Sequence, residues 1–177
     1  MTIIGIDPGT IRTGYGIIDF SGGEHRLICS GVIQLNKLAT IPPRLEKIYS
    51  ELYQIIKKYR PDELAIETAF YGKNVQSTLK IGYARGVSIL AGMHHGLYPS
   101  EYAPREVKKA ITGVGSASKE QVAYMVKKIL FLNNKLKLDE SDALAVAVCH
   151  SGRLIKNVSG KKSWKKFIEN NPERVIK

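Results

Sequence analysis

Four acids stand where side chains can do chemistry. Ile3-Ile4-Gly5-Ile6 is a short apolar run that ends on Asp7 and is stopped by Pro8-Gly9. A run this short, with turn signals behind it, reads as a strand buried on both faces. Leu64-Ala65-Ile66 repeats the design and ends on Glu67. In open α/β sheets chemistry collects outside strand ends, because side chains there leave the core but stay on rigid backbone. Asp139 and Asp142 sit three apart at the start of a helical pattern. They share one face of its first turn, where the helix dipole favours anions. Each acid alone has an ordinary reading: a turn cap for Asp7, an exposed strand end for Glu67, a capping box for the aspartate pair. Jointly they say more. If the first and fourth strands are neighbours, all four carboxylates can converge. Like charges so placed raise each other's pKa. Divalent cations, hard and oxygen-seeking, would satisfy them. Two such ions ~4 Å apart are the equipment for in-line phosphodiester cleavage.

The elements that must position these acids can be read in order. Strands are expected over residues 2–7, 14–20 and 26–34, joined by short links at 9–12 and 21–23, and so as an antiparallel meander. Pro42-Pro43 opens a helix to Tyr59 whose Leu45, Ile48, Leu52, Ile55 and Ile56 form one apolar stripe. A fourth strand covers 63–67, a long helix 74–96, a fifth strand 97–102 and a short helix 105–111. Ser118 and Gln121 fit a capping box that opens a further helix. The last helix starts near Asp139, and its alanine-rich face can lie flat on a sheet. The 74–96 helix carries Gly82, Ala84, Gly86, Ala91 and Gly92. Glycine costs ~1 kcal/mol inside a helix, so these small residues call for close approach of the sheet beneath or of a second subunit. The expected fold class is α/β, a mixed sheet flanked by helices.

The 177 residues suit one domain with a full core, and 44% are apolar. No apolar run nears the ~18 residues of a membrane span. The chain enters a strand at once, which argues against a signal peptide and for a cytoplasmic protein. Cys29 and Cys149 lack metal-ligand spacing and read as buried thiols. His25, His94, His95 and His150 form no ligand pattern and read as surface or helix-end residues. A formal net charge of +11 points to a polyanion. Lysine outnumbers arginine 19 to 8, which favours tracking a phosphate backbone over reading bases. Residues 1–156 are expected to form one domain. Residues 157–177, with six basic side chains against two acidic ones, are expected to be a mobile basic tail.

The residues also resemble a known family. Ile4-Gly5-Ile6-Asp7-Pro8-Gly9, Thr13-Gly14-Tyr15-Gly16, Ala65-Ile66-Glu67, Lys73-Asn74, Ala84-Arg85-Gly86, Gly113-Val114-Gly115-Ser116-Ala117 and Asp139-Glu140-Ser141-Asp142-Ala143-Leu144-Ala145 resemble the RuvC family of Holliday-junction resolvases. The match runs in order from residue 3 to about residue 150. It implies an RNase H-like five-stranded mixed sheet with the first three strands antiparallel. It implies a homodimer that binds four-way junction DNA and nicks two opposed strands, leaving 5′-phosphate and 3′-hydroxyl ends. Mg²⁺ is the implied ion, with Mn²⁺ as substitute. By position, Asp7, Glu67, Asp139 and Asp142 would be metal ligands, and Lys119 would join them in catalysis. Some members carry a histidine at the third position, so Asp139 implies an all-carboxylate site. Phe70, Lys73, Arg85, Lys108 and Lys119 would contact DNA, with Phe70 stacking on an unpaired base. A RuvA–RuvB branch-migration complex is an implied partner. The tail beyond residue 157 matches nothing in the family pattern.

Two other classes compete. Asp7-Pro8-Gly9-Thr10 also suits an actin- or sugar-kinase-like ATPase. That architecture needs two such domains, more than this length is expected to supply, and Gly113 to Lys119 lacks the Walker spacing. A junction-binding protein without catalysis would not need all four acids.

Overall fold

The first apolar run forms β1 (Thr2–Asp7), which pairs antiparallel with β2 (Arg12–Ser21); β2 in turn pairs antiparallel with β3 (Glu24–Gln34). This computed structural model describes residues 1–68, 75–133 and 136–170, with side chains to residue 155. The β1–β2 link is pinned by Thr13, which is fully buried. Its hydroxyl donates to the Gly9 carbonyl at 2.8 Å and accepts from the Gly9 N–H at 3.3 Å. Proline in the first turn of α1 (Ile41–Tyr59) lacks only an N–H that would be unpaired there anyway. The helix closes on Arg60, at φ 45° in the left-handed region, whose N–H reaches the Ile56 carbonyl. α1 returns the chain to β4 (Glu63–Glu67), which pairs parallel with β1 from Ile3–Glu63 to Ile6–Ile66. That register sets Glu67 beside Asp7. After α2 (Val75–Met93), β5 (Pro99–Tyr102) joins β4 in parallel, and α3 (Pro104–Thr112), α4 (Lys119–Ile129) and α5 (Leu138–Asn170) follow. The sheet order is β3-β2-β1-β4-β5, the mixed sheet expected, with its first three strands antiparallel.

Side-chain alternation along the strands splits the core in two. Ile3, Ile18, Ala65 and Tyr102 pack with Val107 and Ile111 of α3, Val122 and Val126 of α4 and the buried face of α5. Ile4, Ile6, Ile17, Leu64 and Ile66 pack on the other side with Ile48, Leu52 and Ile56 of α1 and with α2. Asp7 and Glu67 are in phase with Ile3 and Ala65, so they emerge on the α5 side. α5 lies almost on the strand backbones. A Cβ on Gly5 would stand 2.1 Å from the Ala143 carbonyl oxygen, and one on Gly14 would stand 2.0 Å from that of Asp139.

Several expectations shift. α2 ends at Met93, and β5 begins only at Pro99, because Gly96 takes φ 77° and turns the chain. Of the small residues on α2, Ala84, Ala91 and Gly92 face the core, whereas Gly82 and Gly86 face open space. His150, expected at the surface or at a helix end, is buried within α5. It lies on the core side of α5, where its Nδ1 hydrogen-bonds the Tyr102 hydroxyl at 2.7 Å. Cys29 is only half-buried, and Cys149 is buried; both are thiols. α5 extends to Asn170. Among the described residues no helix is long and apolar enough to cross a membrane.

Candidate active site

Three elements from distant parts of the chain meet at one rim of the sheet. β1 delivers Asp7, β4 delivers Glu67 and the second turn of α5 delivers Asp142. Together with Lys108 of α3 and Lys119 of α4 they line a cleft of about 190 Å³, floored by Pro104, Val107, Val122 and Ala145. The local causes are plain. Strand ends place the first two acids, and the glycine ledge of β1 and β2 lets α5 descend far enough to place the third. Lys119 is held by the cap of its own helix. Ser118 Oγ accepts from the Gln121 N–H at 3.2 Å, and Gln121 Oε1 accepts from the Ser118 N–H at 2.8 Å.

The electrostatics are those of crowded anions. Burial, then the Asp142 charge, pushes the Asp7 pKa from 3.8 up to about 6, with Lys119 pulling the other way. Glu67 goes from 4.5 up to about 8, first through burial and then through Asp7 and Asp142. Lys119 Nζ lies 2.6 Å from Asp142 Oδ2. Burial works against the Lys119 charge, but Asp142, Asp7 and Glu67 outweigh it and hold its pKa above the ordinary value. An added cation here would meet hard oxygen donors that one ammonium leaves under-neutralised.

Asp139 sits at the margin. α5 begins at Leu138, so Asp139 lies inside the first turn and does not cap it. Its carboxylate accepts from Arg12 Nη1 at 3.4 Å, and it is close enough to help raise the Asp7 pKa. As they stand, the described residues present no group of three or more His, Cys, Asp or Glu side chains arranged to hold a metal ion. The donor set nevertheless fits one chemically: all oxygen, anionic and on rigid elements.

The remaining candidates are dispersed. Lys108 is half-buried at the cleft wall and lowers the Glu67 pKa. Arg85 of α2 is engaged with Glu101 of β5 in an ion pair that ties the helix to the sheet edge. Phe70 and Lys73 lie outside the described residues. Arg12 and Thr13 were not singled out from the sequence as site residues. Arg12 neutralises Asp139, and Thr13 fixes the turn that carries Asp7. The one signal for them was their place at the start of the strand returning from that turn.

Comparison with known proteins follows this geometry. The family model described as "Crossover junction endodeoxyribonuclease RuvC" matches residues 3–150. A protein of that name from Cytophaga hutchinsonii is 47% identical over 174 residues, covering 98% of this chain and 87% of its own. One from Chloroherpeton thalassium is 44% identical over 186 residues, covering 100% of both chains. Among solved structures, Thermus thermophilus RuvC in complex with a Holliday junction substrate superposes with a TM-score of 0.77 at 29% identity, over 85% of this chain and 93% of that one.

Proposed function

This chain belongs to the RuvC family of crossover junction endodeoxyribonucleases, and from that premise we propose that the Asp7–Glu67–Asp142 cleft is where it cuts DNA. The protein is a Holliday-junction resolvase, a phosphodiester hydrolase of recombination and repair. Its family depends on divalent metal; we take the ion to be Mg²⁺, replaceable by Mn²⁺ and held by Asp7, Glu67, Asp142 and Asp139. When bound, the ion supplies an activated water and charge stabilisation for in-line displacement at phosphorus.

The chain's own residues do the rest. Lys119 and Lys108 stand where a phosphate facing the carboxylates would build negative charge, and neutralise it. Asp142 positions the Lys119 ammonium. Arg12 holds Asp139 at the margin of the cleft until DNA and metal compete for it. The basic surface draws in DNA with a steep salt dependence. Cleavage leaves 5′-phosphate and 3′-hydroxyl ends. Arg85, Phe70 and Lys73 are assigned to DNA contact on the family resemblance alone.

The substrate has two equivalent strands, which suits a twofold homodimer. The outward face of α2, with exposed Val75, Leu79, Tyr83 and Leu90 beside the open Gly82 and Gly86, is the surface we assign to the second copy. We place the enzyme in the cytoplasm and add a RuvA–RuvB branch-migration complex as a partner. Residues 1–156 are read as the nuclease unit, and 157–177 as an appended basic segment.

The observation that carries this reading is the meeting of three carboxylates, from residues 7, 67 and 142, with two lysines in a chain of net charge +11. The test is Mg²⁺-dependent cleavage of a synthetic four-way junction against a linear duplex of the same sequence. Paired symmetric nicks in the junction alone are expected. Equal cutting of the duplex, or cutting that survives a chelator, would overturn it.

A further inference from the structure

The outer face of α4 carries a feature that the cleft does not use. Val122 and Val126 turn one side of this helix into the core. On the opposite side Tyr124 is 60% exposed, and just past the end of the helix Phe131 is 83% exposed. The two rings line one hollow together with Lys127, Lys128, Leu132 and Asn133. Lys128 Nζ stands 5.6 Å from the centre of the Tyr124 ring. No acid occurs between Tyr124 and Phe131; Glu120, one turn before Tyr124, is the nearest carboxylate along the helix.

Phe131 is also in the wrong conformation for its type. Its φ is 52°, and the helix end is closed around it by N–H bonds from Phe131 to the Lys128 carbonyl at 3.3 Å and from Leu132 to that of Lys127 at 2.9 Å. This left-handed closing position is normally glycine or asparagine, and a bulky side chain there is an outlier. Phe131 buries little in return. Strain at an exposed aromatic is a reason to look for a ligand.

We propose that this ledge is a second DNA contact, on which an unpaired strand leaving the catalytic cleft stacks bases on Tyr124 and Phe131 and sets its phosphates on Lys127 and Lys128. The chemistry is that of sequence-tolerant single-strand binding: aromatic faces interleaved with cations. Position supports it. α4 starts at Lys119, in the cleft, and at ~1.5 Å per residue its far end lies ~15 Å away, within reach of the same strand. A protein partner would also cover aromatic rings, but two lysines between the rings, without an intervening acid, favour a polyanion.

This inference rests on the resolvase reading and is tested so that the two fail separately. Fluorescence anisotropy, with EDTA present to prevent cleavage, compares wild type with the Y124A/F131N double variant. The probes are a blunt four-way junction, the same junction with an unpaired thymidine extension on one arm, and a free thymidine tract. The double variant should bind the last two about five- to tenfold more weakly, the size of losing one or two stacked bases. F131N alone should melt at or above the wild-type temperature, because asparagine tolerates the left-handed region, and the double variant, melted beside it, should stay folded at the assay temperature, which separates weakened binding from unfolding. 5-Iododeoxyuridine in the extension should crosslink to Tyr124 or Phe131. Equal affinities on all three probes, or crosslinks only elsewhere, overturn the ledge. If wild type binds no junction at all, the resolvase reading falls and takes the ledge with it.

Discussion

Strand β4 carries two glutamates on one side of the sheet, four residues apart, and they live in opposite circumstances. Glu63, at the strand's start, lies 3.4 Å from His150 Nε2, within a network where Tyr102 bonds His150 and Arg153 stacks over the Tyr102 ring at 5.7 Å. Nearby, the Thr2 N–H reaches Asp62 Oδ2 at 2.7 Å, and His25 pairs with Ser151 Oγ at 2.7 Å. Most polar groups named at that end find opposite or neutral partners, although the buried His150 Nε2 has only the nearby Glu63 charge and no hydrogen bond. Glu67, at the other end, meets Asp7 and Asp142, and its pKa climbs to about 8. The same strand and the same helix α5 thus serve a settled end and a frustrated one. The lesson is that crowding of like charge marks the rim where Asp7, Glu67 and Asp142 meet, whereas the settled end pairs its charges and leaves Glu63 and Asp62 partly in water.

The largest effect that would break this contrast is chemical. Asp7→Asn should cut junction cleavage about a thousandfold or more, because it removes a charge proposed to hold the metal. Junction affinity should stay within about threefold, because it comes from the basic surface. Single-turnover kinetics and a gel-shift titration check both halves; joint loss would contradict the separation. Next comes the ledge under α5. Gly14→Ala would push a methyl to 2.0 Å from the Asp139 carbonyl oxygen. It should cost about 3 kcal/mol and lower cleavage as well, because α5 carries both Asp139 and Asp142. Gly82→Ala, on open α2 surface, should leave stability unchanged or raise it by up to ~1 kcal/mol. Urea unfolding of the two variants side by side measures the difference.

Much of the frustrated end was legible in the sequence. Asp7 and Glu67 close short apolar runs, and such runs announce strand ends without any tertiary knowledge. The three-residue spacing of Asp139 and Asp142 puts them on one helix face whatever the fold. The meander followed from short links, but the parallel pairing of β4 with β1 entered the sequence reading only as a condition. The settled end was not legible. A histidine on an alanine-rich helix has the same local pattern whether it faces water or Tyr102, so the burial of His150 had no local signature. The Arg12–Asp139 pair spans 127 positions and exists only because α5 crosses the start of β2. Phe131 escaped notice because left-handed helix closure is read from glycine or asparagine, and here an aromatic does it.

The next effect is a pH slope. Asp7 and Glu67 have folded pKa values above their ordinary 3.8 and 4.5, at about 6 and 8. In that interval the folded chain binds protons that the unfolded chain has lost, so stability is full below about pH 4 and drains away as pH rises towards 8. Without divalent ion the protein should therefore lose about 1–3 kcal/mol over this window. Glu67→Gln should flatten the slope and be the more stable protein at pH 8, while cleaving nothing. Adding Mg²⁺ should restore wild type and not the variant. Denaturant midpoints at pH 5 and pH 8, with and without the ion, decide it; a wild-type curve that rises with pH would mean the two acids are not crowded.

The smallest effect comes from the settled end and has the opposite sign. Burial pushes the His150 pKa below its ordinary 6.5, with Glu63 opposing. Below about pH 6.5 the unfolded chain gains a proton that the folded chain resists, so this end loses stability as pH falls. The two windows overlap between about pH 4 and 6.5, and there the His150 slope opposes the larger slope of the acids and blunts it in the metal-free protein. Tyr102→Phe isolates the second end. It removes the hydroxyl that lies 2.7 Å from His150 Nδ1 and leaves a buried nitrogen without that bond, at a cost of about 1 kcal/mol. Cleavage at saturating Mg²⁺ should not change, because Tyr102 does not line the cleft. Thermal melts at pH 5.5 and 7.5, run beside the cleavage assay, make the comparison. A Tyr102→Phe enzyme that keeps its stability but loses activity would mean that the network holds the rim in place, and that the two ends of β4 are one machine.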